Sequence, residues 1–177
     1  ISVTGGTLAG VTTSASGTGG VTFTGGTLSP AAGGVGTLSF PSTLNLSGGS
    51  LSINITGDSS ADLVNAGGSS LITLGGTAGL SVTSSDVTDG TIFTILSGGS
   101  LSGTFAGLAN GATVNGGGQN YTIGYSGGNV TLTAVPAALL PGQSSQLSGW
   151  AWYDDGTAAA VDGGEIAWDP PVHPIAL

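Results

Sequence analysis

From residue 1 to about 135, apolar and polar positions alternate over short runs, as in Val21-Thr22-Phe23, Leu44-Asn45-Leu46, Leu51-Ser52-Ile53-Asn54-Ile55 and Leu80-Ser81-Val82. A period of two sends successive side chains to opposite faces of a pleated strand, and the β-branched residues in these runs favour that backbone. No stretch has the length or periodicity of a helix. The runs are punctuated by Gly-Gly at residues 5–6, 19–20, 25–26, 33–34, 48–49, 67–68, 75–76 and 98–99. The pattern predicts strands of about three to six residues between tight corners, where glycine accepts the positive φ that other residues resist.

Several corners are followed by the same words: Gly5-Gly6-Thr7-Leu8, Gly25-Gly26-Thr27-Leu28, Gly48-Gly49-Ser50-Leu51 and Gly99-Ser100-Leu101. The first three open at Gly5, Gly25 and Gly48, a step of about 20 residues that suits a stacked repeat unit. Strands this short need a neighbour above and below, so the expected fold is all-β: a Gly-rich β-solenoid, β-helix-like, over residues 1–135. Six or seven turns about 4.8 Å apart would make a rod roughly 30 Å long. Its last part reads differently. Asp89–Leu96, Ser102–Leu108 and Tyr121–Val135 carry two tyrosines and a hairpin turn around Ser126–Asn129, as expected of a C-terminal cap that shields an open edge.

This last run, preceded by Gly25-Gly26-Thr27-Leu28-Ser29-Pro30 and Leu44-Asn45-Leu46, resembles the autotransporter-associated β-strand repeat and the end of autotransporter-like passenger regions. The resemblance covers residues 1 to about 135 and implies a secreted, surface-exposed β-solenoid. Neither an outer-membrane barrel nor a protease segment is recognisable, so an autotransporter export route does not follow from it.

Composition shifts at Val135-Pro136. Residues 136–177 contain Leu139-Leu140-Pro141-Gly142-Gln143, then Trp150-Ala151-Trp152-Tyr153-Asp154-Asp155-Gly156-Thr157, then Glu165-Ile166-Ala167-Trp168. The order resembles the first half of a bacterial immunoglobulin-like domain, which implies a partial β-sandwich. A whole domain of that kind needs about 100 residues and seven strands, so its aromatic faces would be left partly uncovered.

Charge narrows the function. The 177 residues include no Lys or Arg, nine carboxylates, one His, no Cys and no Met, with 36 glycines and a net charge of −9. Without fixed cations the chain cannot grip nucleic acid, phosphate or an anionic membrane by charge, and no Lys follows a glycine run to make a phosphate loop. Disulfides and thiolate metal sites are excluded, and trypsin has no site. No segment reaches the roughly 20 apolar residues of a membrane helix. The sequence opens at Ile1 and reads as a processed or excised piece. At 38% apolar and 5% charged residues it should fold, while a surface so poor in charge has little defence against association.

Candidate chemistry is sparse. Asp154, Asp155 and Asp162, with Glu165 and Asp169, are oxygen donors of the kind calcium takes, yet Asp-Asp-Gly-Thr is first of all turn chemistry. Asp86 and Asp89 likewise bracket a turn. Asp58 and Asp62 form a carboxylate pair of the type glycosidases use, without the cleft such chemistry needs. His173 is a lone imidazole in a Pro-rich tail. Sequons stand at Asn45, Asn54, Asn120 and Asn129, and Thr22-Phe23-Thr24 and Thr131-Leu132-Thr133 suggest threonine arrays without a regular column. No catalytic residue and no cofactor is expected, and the chain is read as a non-enzyme.

The expectation is therefore an extracellular or cell-surface structural protein, forming a fibre, sheath or biofilm matrix from copies of itself. Docking would join Ile1, Val3 and Leu8 to an exposed sandwich edge at Leu139, Leu147, Trp150, Trp152 and Trp168. The competing expectation is an adhesin stalk that contacts surface polysaccharide. Neither involves nucleic acid or membrane insertion.

Overall fold

The computed structural model describes residues 1–10, 19–39 and 42–136, together with the backbone of 149–152 and 158–161. Two compact units are present, Ile1–Ala137 and Ala138–Leu177. Strands run in the order β1 (Ser2–Val3), β2 (Thr7–Ala9), β3 (Val21–Ser29), β4 (Thr37–Ser39), β5 (Leu44–Thr56), β6 (Ser60–Ala61), β7 (Leu63–Asn65) and β8 (Leu71–Leu74). They continue as β9 (Gly79–Ser85), β10 (Ile92–Ser97), β11 (Ser100–Ser102), β12 (Thr113–Gly116), β13 (Gln119–Ser126) and β14 (Asn129–Val135), with β15 (Gly149–Trp152) and β16 (Ala158–Val161) in the second unit. The fold is all-β, with no helix among the described residues.

Alternation becomes pairing in a consistent way. The first sheet has the order β1-β3-β5-β8-β11, with β2 also on β3 and both β6 and β9 also on β5. All of these ladders are parallel except β5 with β6. Ser2 lies opposite Thr22, Thr22 opposite Asn45, Asn45 opposite Thr73 and Thr73 opposite Ser102. The steps from Ser2 to Thr22 and from Thr22 to Asn45 equal the spacing of the Gly-Gly words, and the two later steps are longer. They match because those words pair with one another: Thr7 with Thr27, and Thr27 with Ser50.

Period two then sorts the side chains. Val21, Leu44 and Ile72 make one inward column, Phe23, Leu46 and Leu74 a second, and Leu28 and Leu51 a third, all buried. They meet Leu38, Val64 and Leu96, which stack on β4, β7 and β10 of the second sheet in one continuous core. That sheet has the order β12-β13-β14-β10-β7-β4. Its β4, β7 and β10 are parallel, and the run then ends: β14 pairs antiparallel with β10, β13 with β14 and β12 with β13. The turn between β13 and β14 sets Ser126 opposite Asn129 across Gly127-Gly128, where φ is +57° and +93°. Tyr121 is fully buried there and meets Phe93 edge to face, with ring centres 6.4 Å apart.

One expectation changes in detail. Gly25-Gly26 and Gly48-Gly49 do not separate short strands but bend long ones, lying inside β3 and β5, nine and thirteen residues in length. At φ of +82° and +77° the second glycine of each pair turns the strand; the register slips locally where Thr24 lies opposite Gly48, and beyond the bend Thr27 and Ser50 pair in the original register. In the second unit β15 and β16 pair antiparallel, with Gly149 opposite Val161.

Candidate interaction surface

A bend recurs in successive passes of the chain, and it is built so that backbones touch. A methyl group placed on Gly25 would stand 2.5 Å from the carbonyl oxygen of Thr4, and one on Gly48 2.4 Å from that of Thr24. On Gly26 and Gly49 it would meet the carbonyls of Gly6 and Gly26. Real Cβ atoms do not approach so closely, so glycine is required at all four positions by the pass lying on the N-terminal side, and at Gly26 and Gly49 by positive φ as well. Gly5 occupies the same place in the first pass, and among the described residues nothing lies within 4 Å of its missing Cβ.

That first pass forms one edge of the parallel sheet. Among the described residues β1 and β2 pair with β3 alone. Ile1 places its nitrogen 2.7 Å from the Gly20 carbonyl, just as Val21 bonds the Thr43 carbonyl one pass on. The inward columns run out at this edge: Ile1 is 66% exposed, whereas Val21 in the next pass is 1% exposed. Val3 and Leu8 are half-buried against the core, while their partners Phe23 and Leu28 are fully covered. The first charged side chain in the sequence is Asp58, so the strands of this edge carry none of their own. Ile1, Val3 and Leu8 are thereby brought together on one edge. Trp150 and Trp152 lie on β15, and Leu139, Leu147 and Trp168 lie outside the described residues.

No family model, curated protein or solved structure matches the chain.

The carboxylates are held by structure. Asp62 is fully buried, and its oxygens accept from Gly36 N at 2.7 Å, Asn54 N at 2.9 Å and Asn54 Nδ2 at 3.2 Å. It thereby ties β5 to the loop before β4. Asp58 accepts from Thr88 N and Thr88 Oγ1 at 2.6 and 2.7 Å and from Thr91 Oγ1 at 3.3 Å. The Thr88 amide above all holds its carboxyl below the ordinary value. Each of the two is held by its own set of donors. Asp89 accepts from Gln119 Nε2, which also donates to the Val135 carbonyl, and Asp86 takes positive φ in an exposed turn. Among the described residues no group of three acidic, His or Cys side chains could hold a metal. Asp154, Asp155, Asp162, Glu165, Asp169 and His173 lie outside them.

Two tyrosines escaped sequence reasoning as structural keys. The Tyr125 hydroxyl accepts from Phe105 N at 3.2 Å and donates to the Leu108 carbonyl at 2.8 Å, pinning the loop after β11. The Tyr121 hydroxyl is buried without a hydrogen-bond partner, while neighbouring Ser84 gives its own proton to the Gly116 carbonyl. Burial raises both phenols above their ordinary pKa. Only the alternation of Tyr121 and Tyr125 with Ile123 gave a hint, and it marked a buried face rather than a polar task.

Proposed function

We propose that the first unit is a Gly-rich β-solenoid and that the chain is an extracellular structural protein, forming a surface fibre, sheath or matrix by strand addition between copies. One observation carries the reading: a parallel column five strands deep has β1 at its edge, and among the described residues β1 and β2 bond on one side only, with Ile1, Val3 and Leu8 partly uncovered. An edge that is apolar beneath and free of charged side chains and proline is a template for another strand. Protection of such edges normally comes from Lys, a charge turned inward or a covering loop, and the described residues place none of these here.

Three further facts agree with assembly outside the cell. Charged side chains are 5% of the sequence, so copies meet with few ions to desolvate. Lys and Arg are absent, which removes every tryptic site. The repeat words resemble autotransporter-type passenger repeats, which belong to exported surface proteins. Residues 136–177 are read as part of an immunoglobulin-like module.

Electron microscopy of the protein at neutral pH tests the proposal. Regular filaments are expected; dispersed single particles at all concentrations would contradict it. A second reading, an adhesin stalk, draws on one feature. The column Ser2, Thr22, Asn45, Thr73 and Ser102 is uncharged, with the Asn45 Oδ1 buried, and its hydroxyls are of the kind that meets polysaccharide. Dispersed particles that co-sediment with an insoluble polysaccharide would favour it.

A further inference from the structure

We infer that Asn129 is an N-glycosylation site, carrying a sugar on the outer face of the second sheet. The inference is independent of strand addition, since Asn129 lies on a sheet face and not on an edge strand.

The sequence holds four Asn-x-Ser/Thr triplets, at Asn45, Asn54, Asn120 and Asn129, and all four asparagines lie on strands. A strand sends residues i and i+2 to one face, so each asparagine shares a face with the hydroxyl of its own triplet. The folded surroundings separate the four. Asn45 lies between Thr22 and Thr73 of the neighbouring strands, and its Oδ1 is buried. Asn54 gives its Nδ2, the atom that would bear the sugar, to the buried carboxylate of Asp62 at 3.2 Å. Asn120 lies between Asn115 and Val135, and its Oδ1 accepts from Asn115 Nδ2 at 3.0 Å. Asn129 is the one of the four whose amide has neither a hydrogen-bond partner nor a buried atom among the described residues.

Its neighbours leave room for a substituent. Asn129 opens β14 directly after the hairpin turn, with Ser126 and Ser97 in register on either side. Both carry short side chains. Ser126 and Gly127 are exposed, and nothing described lies within 4 Å of the Cβ position of Gly127. Val135, where β14 runs on into Pro136, is at the far end of the strand, about 20 Å away at the ordinary rise of a strand. The alternation of β14 turns Val130, Leu132 and Ala134 into the core and leaves Asn129 and Thr131 half-buried on the outside. Thr131 lies opposite Gly124, which has no positive φ to account for a glycine. A methyl group on Gly124 would stand 2.7 Å from Thr131 Oγ1, so the glycine gives the hydroxyl of the triplet its place. Residues 90–153 contain no charged side chain, and a glycan would supply this face with the hydration that ions supply elsewhere.

The chemistry asks of the chain only the amide. Asn129 Nδ2 bonds to the anomeric carbon of a glycosyl diphosphate donor as the bond from that carbon to the diphosphate oxygen breaks. The diphosphate leaves with the electron pair, and Nδ2 gives up one proton.

Peptide mapping by mass spectrometry tests this on the full chain taken from the organism that produces it. Chymotrypsin serves for the digest, since the chain has no Lys or Arg for trypsin. The peptide holding Asn129 should be heavier by a sugar, and those holding Asn45, Asn54 and Asn120 should have their plain masses. A bare Asn129 would overturn the inference, as would a sugar confined to another of the four. Variants made in the same organism give a second reading. Thr131→Ala should lose the sugar and Thr131→Ser keep it, whereas Asn45→Gln should leave it in place. A sugar retained on Asn129 in Thr131→Ala would overturn the role given to the hydroxyl.

Discussion

At the scale of single residues, glycine carries most of the specification. Gly26 combines φ of +82° with a Cβ direction aimed at the Gly6 carbonyl 2.5 Å away. Gly26→Ala should therefore destabilise by at least the order of 1–3 kcal/mol expected of strained backbone alone, read as a lower denaturation midpoint. Gly5→Ala is the control that should change nothing in the dispersed protein. Asn45 works the other way. Its Oδ1 is buried without a partner between Thr22 and Thr73, so Asn45→Thr should raise stability by about 0.5–1 kcal/mol by removing an unsatisfied acceptor and adding a strand-forming side chain. Asp58 has a folded-state pKa below its unfolded value. The stability it contributes is present above the unfolded value near 3.8 and lost as pH falls through the lower folded value. A melting series from pH 5 to about 2 should show a loss that Asp58→Asn diminishes.

At the scale of elements, ladders are set by the repeat and the ends by particular bonds. The pairing of Thr7, Thr27 and Ser50 was legible because each follows its own Gly-Gly at Gly5, Gly25 and Gly48, and parallel strands stack like on like. The hairpin between β13 and β14 was legible from Ser126-Gly127-Gly128-Asn129, since two glycines tolerate the positive φ that a tight turn demands. The length of β3 and β5 was not legible, because a Gly-Gly that bends a strand and one that ends it read alike; only the neighbouring strand decides. Asp62 was equally hidden. Nothing in Ala61-Asp62-Leu63 tells that its carboxylate will be buried and shared between β5 and the loop before β4. Tyr125 pins the loop between β11 and β12 through its hydroxyl. Tyr125→Phe should cost about 1–2 kcal/mol and speed hydrogen exchange at Phe105. Both tyrosine phenols titrate above their unfolded value, so the folded state holds protons that the unfolded state releases. Stability should fall as pH rises from the unfolded phenol value toward the raised folded one.

At the scale of the whole molecule, the balance is between stickiness and like charge. Nine carboxylates without a Lys or Arg give copies a net negative charge that opposes their meeting, while residues 1–57 contribute no charged side chain to it. Assembly should accordingly speed up with added salt, since screening shortens to about 10 Å at 0.1 M, and light scattering at two ionic strengths checks it. Ile1, Val3 and Leu8 were expected near one end of the repeat, and they lie together at the edge formed by β1 and β2. The extension of the column to β8 and β11 was less legible, because the steps from Asn45 to Thr73 and from Thr73 to Ser102 are wider than the early spacing. The most direct test of the central account is X-ray diffraction from aligned filaments. Strands stacked from copy to copy predict a reflection at about 4.8 Å along the filament axis. The same reflection at right angles to that axis, or none at all, would contradict it.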